Sequence, residues 1–501
     1  MDPWPPATES TMQLVRWAER NSSKDLRTKL SLRNKFSSHK EKEEPVMRGG
    51  GDEGDRDRAF SSSCSDEHSS AAPNNSDPTT FNVLDYGAKG DAHADDTKAF
   101  EDAWEAACKI DSSTMVVPSG KVFLIKPISF AGPNCRQNIV FQLDGKIIAP
   151  TDPKSWGSGS LKWIEFTKLN KITIKGKGVI DGQGSVWWNN NNDDDSSVEE
   201  STTSPFSVLP SSGKLPSTKP TALRFYGSDG VTVTGITIQN SQQMHLKFDS
   251  CTNVQVFDIK ISSPADSPNT DGIHLQESQN VVLHSSTLVC GDDCVSIQTG
   301  CSNIFIQDLN CGPSHGISIG GLGKDNTKAF VSNVTVQNIN IQNSLTAVRI
   351  KSWQGGSGSC KNVMFSNIQV SDAETPIIID QYYCDNSKCK NSTSAVAVSA
   401  INYVNIKGTY TKEPVRFACS DSVPCSGLTL DTISLEPSKG VKDSAPFCWK
   451  ASGKLNTKTR NSLSFSLCVF PYLESLFSAT PKAPSKTSTT RRVIEALKGW
   501  G

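Results

Sequence analysis

The stretch SPNTDGIHLQESQNVVLHSSTLVCGDDCVSIQTGCSNIFIQDLNCGPSHGISIG, residues 267–320, places a polar cluster directly ahead of a short apolar strand three times. Between these strands lie further apolar runs, each introduced by an Asn. Apolar residues spaced three to four apart, the mark of an amphipathic helix, are nearly absent. Short strands that recur without intervening helices are typical of a solenoid.

The repeat continues on both sides of this stretch. Its unit resembles Asn-Val-x-Val-x-(Asn/Asp)-Ile-x-Ile, and its copies start 23 to 30 residues apart. A second strand precedes each copy, as in Leu246-Lys247-Phe248 and Val348-Arg349-Ile350. Parallel strands stacked coil on coil, ~4.8 Å apart, satisfy this pattern. It predicts an all-β fold, a right-handed parallel β-helix; a β-propeller would need longer blades and recurrent Trp-Asp signatures.

Composition divides the chain into three segments. Residues 1–80 are poor in aliphatic side chains and rich in Ser, Asp, Glu, Lys and Gly, which predicts a disordered or unrelated tail. Residues 81–452 hold the predicted β-helix, opened by a capping helix over Asp96–Lys109 and interrupted by a surface loop over Asp193–Lys219. Residues 453–501 form a basic tail of poor repeat character.

Charge and cysteine content narrow the classes of function. The 501 residues include 51 Lys and Arg against 52 Asp and Glu, so net charge gives no reason to expect nucleic acid or an anionic membrane. No run is apolar enough to span a bilayer, and residues 1–40 lack the apolar core of a secretory signal. The fifteen cysteines, with spacings such as Cys384…Cys389 and Cys419…Cys425, nevertheless favour disulfides over zinc.

The register of the repeat brings polar residues together. Asp271, Asp293 and His315 each stand two residues before an aligned strand, so we expect them at equivalent positions of consecutive coils, about 5 Å apart. Asp292 is one residue out of register and should diverge from the other acids. On the next strand Arg349 aligns with Ser318 and Lys351 with Gly320, which places both cations on the face beside the acids.

This arrangement predicts acid–base chemistry. Three carboxylates so close cannot all ionise freely, so the pKa of at least one should rise and let it act as an acid. An acid facing a base pair across room for a water is the arrangement of inverting glycoside hydrolysis. Any single Asp could instead cap a solenoid turn. That alternative weakens for three acids, a histidine and two cations together.

Four motifs in this region resemble the signature motifs of polygalacturonases, glycoside hydrolase family 28, in their usual order. They are Ser267-Pro268-Asn269-Thr270-Asp271-Gly272, Gly291-Asp292-Asp293-Cys294, His315-Gly316-Ile317-Ser318-Ile319-Gly320 and Arg349-Ile350-Lys351. The resemblance extends over roughly residues 81–450 and is closest to the plant branch of the family.

The resemblance implies a role for each residue. Asp292 would be the general acid, and Asp271 and Asp293 would activate the attacking water. His315 would hold the protonation state of the acid or contact the substrate. Arg349 and Lys351 would bind the galacturonate carboxylate. The remaining implied residues are Asn269, which would orient its neighbours, Tyr383, which would contact substrate although Tyr382 stands beside it, and Cys294 and Cys311, which would form a disulfide.

The expected partner is therefore an acidic polysaccharide, pectin or polygalacturonate, with no cofactor and no metal. The family implies secretion to the cell wall, glycosylation of the sequons at Asn333 and Asn391, and a monomer. Alternatives are an exo-acting or rhamnogalacturonan-type hydrolase of the same fold, a Ca²⁺-dependent pectate lyase, and an inactive glycan-binding β-helix. The sequence does not separate endo from exo attack.

Overall fold

The computed structural model describes residues 79–156, 162–188, 218–385 and 389–456. These residues form two compact units: the first contains residues up to Gly291 together with Cys301–Leu309, and the second contains Asp292–Gly300 and the residues from Asn310 onward. Both are built from parallel strands, as the repeat predicts. Most of the predicted loop at Asp193–Lys219 and most of both predicted tails lie outside the described residues.

Two α-helices and three 3-10 helices accompany the strands of the described residues. The α-helices are α1 (Thr97–Cys108) and α2 (Ser185–Trp188), and the 3-10 helices are Val83–Tyr86, Pro153–Trp156 and Lys324–Asn326. The predicted helix over Asp96–Lys109 is confirmed as α1, with Phe100, Trp104 and Ala107 buried.

The strands of the described residues range from 3 to 17 residues in length. They are β1 (Thr80–Asn82), β2 (Asp91–Asp95), β3 (Thr114–Val117), β4 (Val122–Leu124), β5 (Ile128–Ala131), β6 (Val140–Leu143), β7 (Lys146–Ile148), β8 (Lys162–Thr167), β9 (Thr173–Lys175), β10 (Val179–Asp181), β11 (Thr221–Tyr226), β12 (Thr232–Thr234), β13 (Thr237–Gln239), β14 (Leu246–Asp249), β15 (Thr252–Phe257), β16 (Lys260–Ser262), β17 (Ile273–Gln276), β18 (Gln279–Val289), β19 (Val295–Ile297), β20 (Ser302–Cys311), β21 (Ile317–Leu322), β22 (Lys328–Gln342), β23 (Val348–Trp353), β24 (Ser357–Ala373), β25 (Ile377–Tyr383), β26 (Ala397–Tyr410), β27 (Val415–Ala418), β28 (Cys425–Pro437), β29 (Phe447–Trp449) and β30 (Ala451–Leu455).

In the first unit, identical side chains stack inside the coils. Phe130, Phe166, Phe225 and Phe248 occupy paired positions on β5, β8, β11 and β14. Their rings follow one another with centroids 4.8, 5.3 and 5.2 Å apart, and all four are buried. The in-register ladder thus turns one apolar position per repeat into a continuous core.

The Asn that opens each repeat turns the chain. Asn253, Asn280 and Asn303 have φ of 55°, 56° and 57°, a left-handed conformation that Asn tolerates better than most residues. Asn280 Nδ2 donates to Asn253 Oδ1 at 3.2 Å, and Asn303 Nδ2 donates to Asn280 Oδ1 at 3.0 Å. The repeated Asn therefore supplies both the turn and an amide ladder along one edge of the first unit.

In the second unit, one sheet carries the strands that follow the polar clusters. Parallel pairing joins β19, β21, β23, β25 and β27, with Val295, Ile317, Val348, Ile377 and Val415 in register. All five side chains are fully buried. The predicted strand alignment across this unit is confirmed.

Disulfides close four loops within the described residues: Cys108–Cys135, Cys294–Cys311, Cys384–Cys389 and Cys419–Cys425. The local pairs expected at Cys384 and Cys419 are among them. No helix in the described part of the chain has the length and apolar character needed to cross a bilayer.

Candidate active site

Asp293 is the most deeply buried acid of the second unit's polar cluster, with 1% of its surface exposed. Three donors reach its carboxylate. Ser318 Oγ donates to Oδ1 at 2.7 Å, Arg349 Nη2 donates to the same oxygen at 2.8 Å, and Lys351 Nζ donates to Oδ2 at 3.1 Å. Arg349 Nε also donates to Ser318 Oγ at 3.0 Å, so the hydroxyl bridges cation and acid. Both cations lie beside an acid, as the register predicts.

These partners decide the charge of Asp293. Burial alone would raise its pKa, but the charges of Lys351 and Arg349 and the hydrogen bond from Ser318 lower the pKa to about 2. Burial likewise disfavours the charged forms of Arg349 and Lys351, yet the Asp293 carboxylate raises the pKa of both. The sequence argument from crowded acids expected a raised pKa for at least one of them; at Asp293 the shift goes the other way because cations surround it.

Asp292 has a different environment. Its Oδ1 lies 2.8 Å from His315 Nδ1, and its carbonyl accepts from the His315 amide at 2.7 Å. The side chain of Asp292 is 21% exposed, against 2% for Asp293. Adjacent acids therefore have separate partners, one a histidine near solvent and the other a buried pair of cations. The divergence of Asp292 from the Asp271–Asp293 pair stays a prediction.

The three groups still form a compact cluster. A ligand atom from each of Asp292, Asp293 and His315 lies within 4.8 Å of the others. The disulfide Cys294–Cys311 begins at the residue after Asp293. Two carboxylates and an imidazole could hold a divalent ion, but Arg349 and Lys351 already neutralise Asp293 and would repel one. The donor set fits proton transfer better than metal binding.

The register holds for Arg349, and the ladder becomes irregular near Lys351. Ser318 pairs with Arg349 as predicted, but the ladder shifts between Ile319 and Leu322. Gly320 and Lys351, the other pair that the alignment predicts, both lie at this bulge. At that bulge Gly320 has a φ of 120°, and a Cβ there would lie 1.9 Å from the Lys351 carbonyl oxygen. Only glycine fits this close approach.

The neighbouring residues Tyr382 and Tyr383 contact different groups. Lys351 Nζ lies 5.3 Å from the centre of the Tyr383 ring, a cation–π contact. Tyr382 is engaged elsewhere, since its hydroxyl donates to Asp421 Oδ2 at 2.9 Å. Burial raises the pKa of Tyr383, so its hydroxyl stays protonated. The geometry supports Tyr383 over Tyr382 as the residue beside the cations.

Asp271 belongs to the first unit, where two histidines hold it. His274 Nδ1 lies 2.8 Å from Asp271 Oδ2. The Asp271 carbonyl accepts from the backbone amide and from Nδ1 of His245, both at 2.8 Å. Burial lowers the pKa of His245 to about 4, so its ring is neutral; Nδ1 carries the proton, and Nε2 accepts from Ser263 Oγ at 2.7 Å. The stacking of Asp271 on Asp293 stays a prediction.

Hydrogen bonds also stabilise the turn before Asp271. Thr270 Oγ1 donates to the Ser267 carbonyl at 3.0 Å and accepts from the Gly291 amide at 2.9 Å. Asn269 has a φ of 57°, the left-handed conformation of a turn. The orienting role predicted for Asn269 stays a prediction.

Sequence reasoning missed His245 and His274 as partners of Asp271. His274 was visible, because it is three residues from Asp271 inside a quoted cluster. His245 gave no such signal, since 26 residues separate it from the carbonyl it contacts.

The two predicted glycosylation sites differ in exposure. Asn391 is exposed. Asn333 is half-buried, and its Oδ1 accepts from Asn362 Nδ2 at 3.3 Å. Glycosylation of either residue stays a prediction.

The fold is a parallel β-helix. In its second unit, a buried acid contacts two cations, and the adjacent acid contacts a histidine. Together these features define the class as a glycoside hydrolase of solenoid type. Residues 108–452 match the family Glycosyl hydrolases family 28, and the chain belongs to that family. The predicted fold, a right-handed parallel β-helix, is confirmed with it.

Relatives of this chain align over most of its length. A probable polygalacturonase of Arabidopsis thaliana is 41% identical over 377 residues, covering 74% of this chain and 81% of that protein. A polygalacturonase of Cryptomeria japonica is 42% identical over 362 residues, covering 72% and 68%. The crystal structure of an exopolygalacturonase from Thermotoga maritima superposes with a TM-score of 0.58 at 24% identity, over 71% of this chain and 88% of that one.

Proposed function

We propose that this glycoside hydrolase cleaves α-1,4-galacturonosyl bonds in de-esterified pectin, with inversion and without a metal. The observation that carries the proposal is the division between Asp292 and Asp293. Asp292 is partly exposed and contacts His315, whereas Asp293 is kept ionised by Arg349 and Lys351. An acid and a base in distinct environments are what acid–base glycoside hydrolysis requires. The names of the aligned relatives supply the substrate.

In this mechanism Asp292 protonates the glycosidic oxygen of the leaving sugar. His315, 2.8 Å from Asp292, keeps that proton available. Asp293 and Asp271 take the proton from the water that attacks the anomeric carbon from the opposite face. With a pKa of about 2, Asp293 is a carboxylate at any pH where pectin is ionised.

The cations give the site its preference for an acidic sugar. Arg349 and Lys351 carry two positive charges against the single charge of Asp293, so one positive charge remains for a galacturonate carboxylate. The ring of Tyr383 beside Lys351 adds an apolar surface for the sugar. Asn269, two residues before Asp271, orients the groups next to it.

The test is the Asp292→Asn variant on polygalacturonic acid. General acid catalysis contributes roughly 10²–10⁴-fold, so release of reducing ends should fall by that factor while substrate still binds. Asp258→Asn, at an exposed turn of the first unit, is the matched control and should retain full activity. If the Asp292→Asn variant is as active as the wild type, Asp292 is not the acid.

The alternatives give different products. A lyase would form an unsaturated, ultraviolet-absorbing product and lose activity with a chelator. An inactive glycan-binding solenoid would bind polygalacturonate yet release no reducing ends even as the wild type. A rhamnogalacturonan-type hydrolase would prefer a backbone that alternates rhamnose with galacturonate. Saturated products from polygalacturonate, unaffected by chelator, support the proposal.

The mode of attack and the compartment follow from separate measurements. Product lengths on polygalacturonic acid distinguish endo attack, which releases oligomers, from exo attack, which releases monomers. We propose secretion of a monomer to the cell wall, supported by four disulfides and by the family. Glycosidase-sensitive mass on Asn333 or Asn391 would support it, and a protein retained in the cytosol would contradict it.

A further inference from the structure

A row of two aromatic rings between two cations extends from the proposed active site within the second unit. It starts at Lys351, whose ammonium contacts Asp293 and lies 5.3 Å from the Tyr383 ring centre. The Tyr383 ring meets Trp353 edge to face at 5.3 Å. Lys324 Nζ lies 5.1 Å from the Trp353 ring centre. We call Lys351, Tyr383, Trp353 and Lys324 the cation–aromatic row.

The backbone holds the row in place. Trp353 and Tyr383 are paired positions of β23 and β25. The indole lies against the chain at Gly321, where a Cβ would come within 2.6 Å of Trp353 Nε1. Glycine at this position therefore allows the Trp353 ring to lie between Tyr383 and Lys324. The two rings thus have little freedom to move apart.

The far end of the row is a positive charge near the surface. The Lys324 side chain is 18% exposed, and its Nζ lies 3.7 Å from Asp385 Oδ2. An anion that reaches this surface would meet the Lys324 ammonium beside the Trp353 ring. An ammonium on the face of a tryptophan also loses less solvation when an anion arrives.

We propose that Lys324 and Trp353 form a second carboxylate-binding position, for a galacturonate further along the polymer than the one held by Arg349 and Lys351. This inference rests on the proposed function. Two separate cation positions suit a polymer that carries a carboxylate on every sugar. The position selects a free carboxylate and rejects its methyl ester.

The experiment measures binding as a function of chain length. In the Asp292→Asn background, equilibrium affinity is determined for oligogalacturonates of one to six units, with Lys324 or with Lys324→Gln. A single charged contact near solvent corresponds to roughly a three- to tenfold change in Kd. We expect that loss only for oligomers long enough to reach Lys324. Lys324→Arg should restore the affinity.

A matched control keeps the result specific. Lys328 Nζ lies 5.1 Å from the exposed Phe330 ring on β22, outside the row, so Lys328→Gln removes the same charge from a similar pair. It should leave every affinity unchanged. A fully methyl-esterified oligomer should bind equally well to the parent protein and to the Lys324→Gln variant, because it has no carboxylate for the ammonium to hold.

The outcomes separate this inference from the proposed function. Wild-type protein that releases no reducing ends contradicts the function. An active wild type with Lys324→Gln equal to its parent at all lengths contradicts the inference alone. An equal loss for the monomer and for long oligomers also overturns it, because the effect would then act through the Lys351 site.

Discussion

At Asp293, one carboxylate accepts hydrogen bonds from a hydroxyl, a guanidinium and an ammonium in a space closed to solvent. The neighbouring acid contacts a histidine and is partly exposed. This local contrast arises because consecutive residues meet different strands: Asp293 faces β21 and β23, whereas Asp292 meets His315 ahead of β21. Two identical aspartate side chains, Asp292 and Asp293, are thus placed in environments different enough for one to serve as an acid and the other as a base.

Replacing Asp293 tests this arrangement as a stability element. Asp293→Asn leaves Arg349 and Lys351 buried without their counter-charge, and removing one partner of a buried pair costs about 3–5 kcal/mol. We expect the free energy of unfolding to fall by that order, measured by urea denaturation. Asp258→Asn should leave it unchanged. Equal stability of Asp293→Asn and the wild type would show that the cations do not depend on the acid.

His274 is predicted to position Asp271 through the 2.8 Å contact with its carboxylate. His274→Phe keeps the ring volume and removes Nδ1. Because a misplaced catalytic group costs up to about 10²-fold, kcat on polygalacturonic acid should fall by roughly 10–100-fold with little change in KM. His284→Phe replaces a histidine stacked on Phe257 and serves as the control. A rise in KM at constant kcat would instead place His274 in substrate binding.

The residue-level outcome shows where sequence reasoning stops. Alignment of repeats found the pairing of Ser318 with Arg349, because a ladder preserves spacing. It did not find the irregularity of the ladder between Ile319 and Leu322 or the contact of His245 with Asp271, because neither follows from the spacing of the repeats. Nor did it find the lowered pKa of Asp293, because that shift is set by how far the cation side chains reach rather than by their position in the sequence.

At the scale of elements, the Asn ladder explains the repeat that the sequence displays. Each amide joins one coil to the next, and the left-handed φ lets the strand turn. The ordered Asn-Val-x-Val signature is thus one turn residue followed by alternating core positions. That pattern was predictable because both causes recur in every coil.

Asn280 offers a matched pair of substitutions at this ladder. Asn280→Ala puts in the left-handed region a residue without the short polar side chain that lets Asn adopt it, at about 1–2 kcal/mol, and also removes amide hydrogen bonds worth about 1 kcal/mol. Asn280→Gly loses only the hydrogen bonds. We expect Ala to lower the free energy of unfolding by about 1–2 kcal/mol more than Gly, measured by chemical denaturation. If Gly were the worse of the two, backbone strain would not be the cause.

In the molecule as a whole, two buried groups make the free energy of unfolding depend on pH. His245 has its pKa lowered to about 4, so the unfolded chain binds a proton that the folded chain does not as pH falls from about 6.5 to 4. Asp293, with a pKa of about 2, stabilises the fold above the ordinary Asp value, and that contribution is lost as pH falls from about 4 towards 2.

Stability should therefore decrease in two stages on acidification. The first stage amounts to about 3 kcal/mol at most, from the size of the His245 shift. His245→Gln should flatten the profile between pH 6.5 and 4 and leave the decline below pH 4 in place. Denaturation curves collected across this range measure both. An unchanged slope over the first stage in the variant would assign that stage to other groups.

The second unit keeps Val295, Ile317, Val348 and Ile377 in register although the coils between them differ in length. Part of the added length lies in longer strands, since β22 has 15 residues and β20 has 10, and the rest lies in turns, where added length has a small entropic cost. The turns and the residues beside the ladder can therefore change independently of one another. Related chains could therefore differ in the turns around the acids, and with them in the length of sugar chain they accept, while the acids keep their positions beside the ladder.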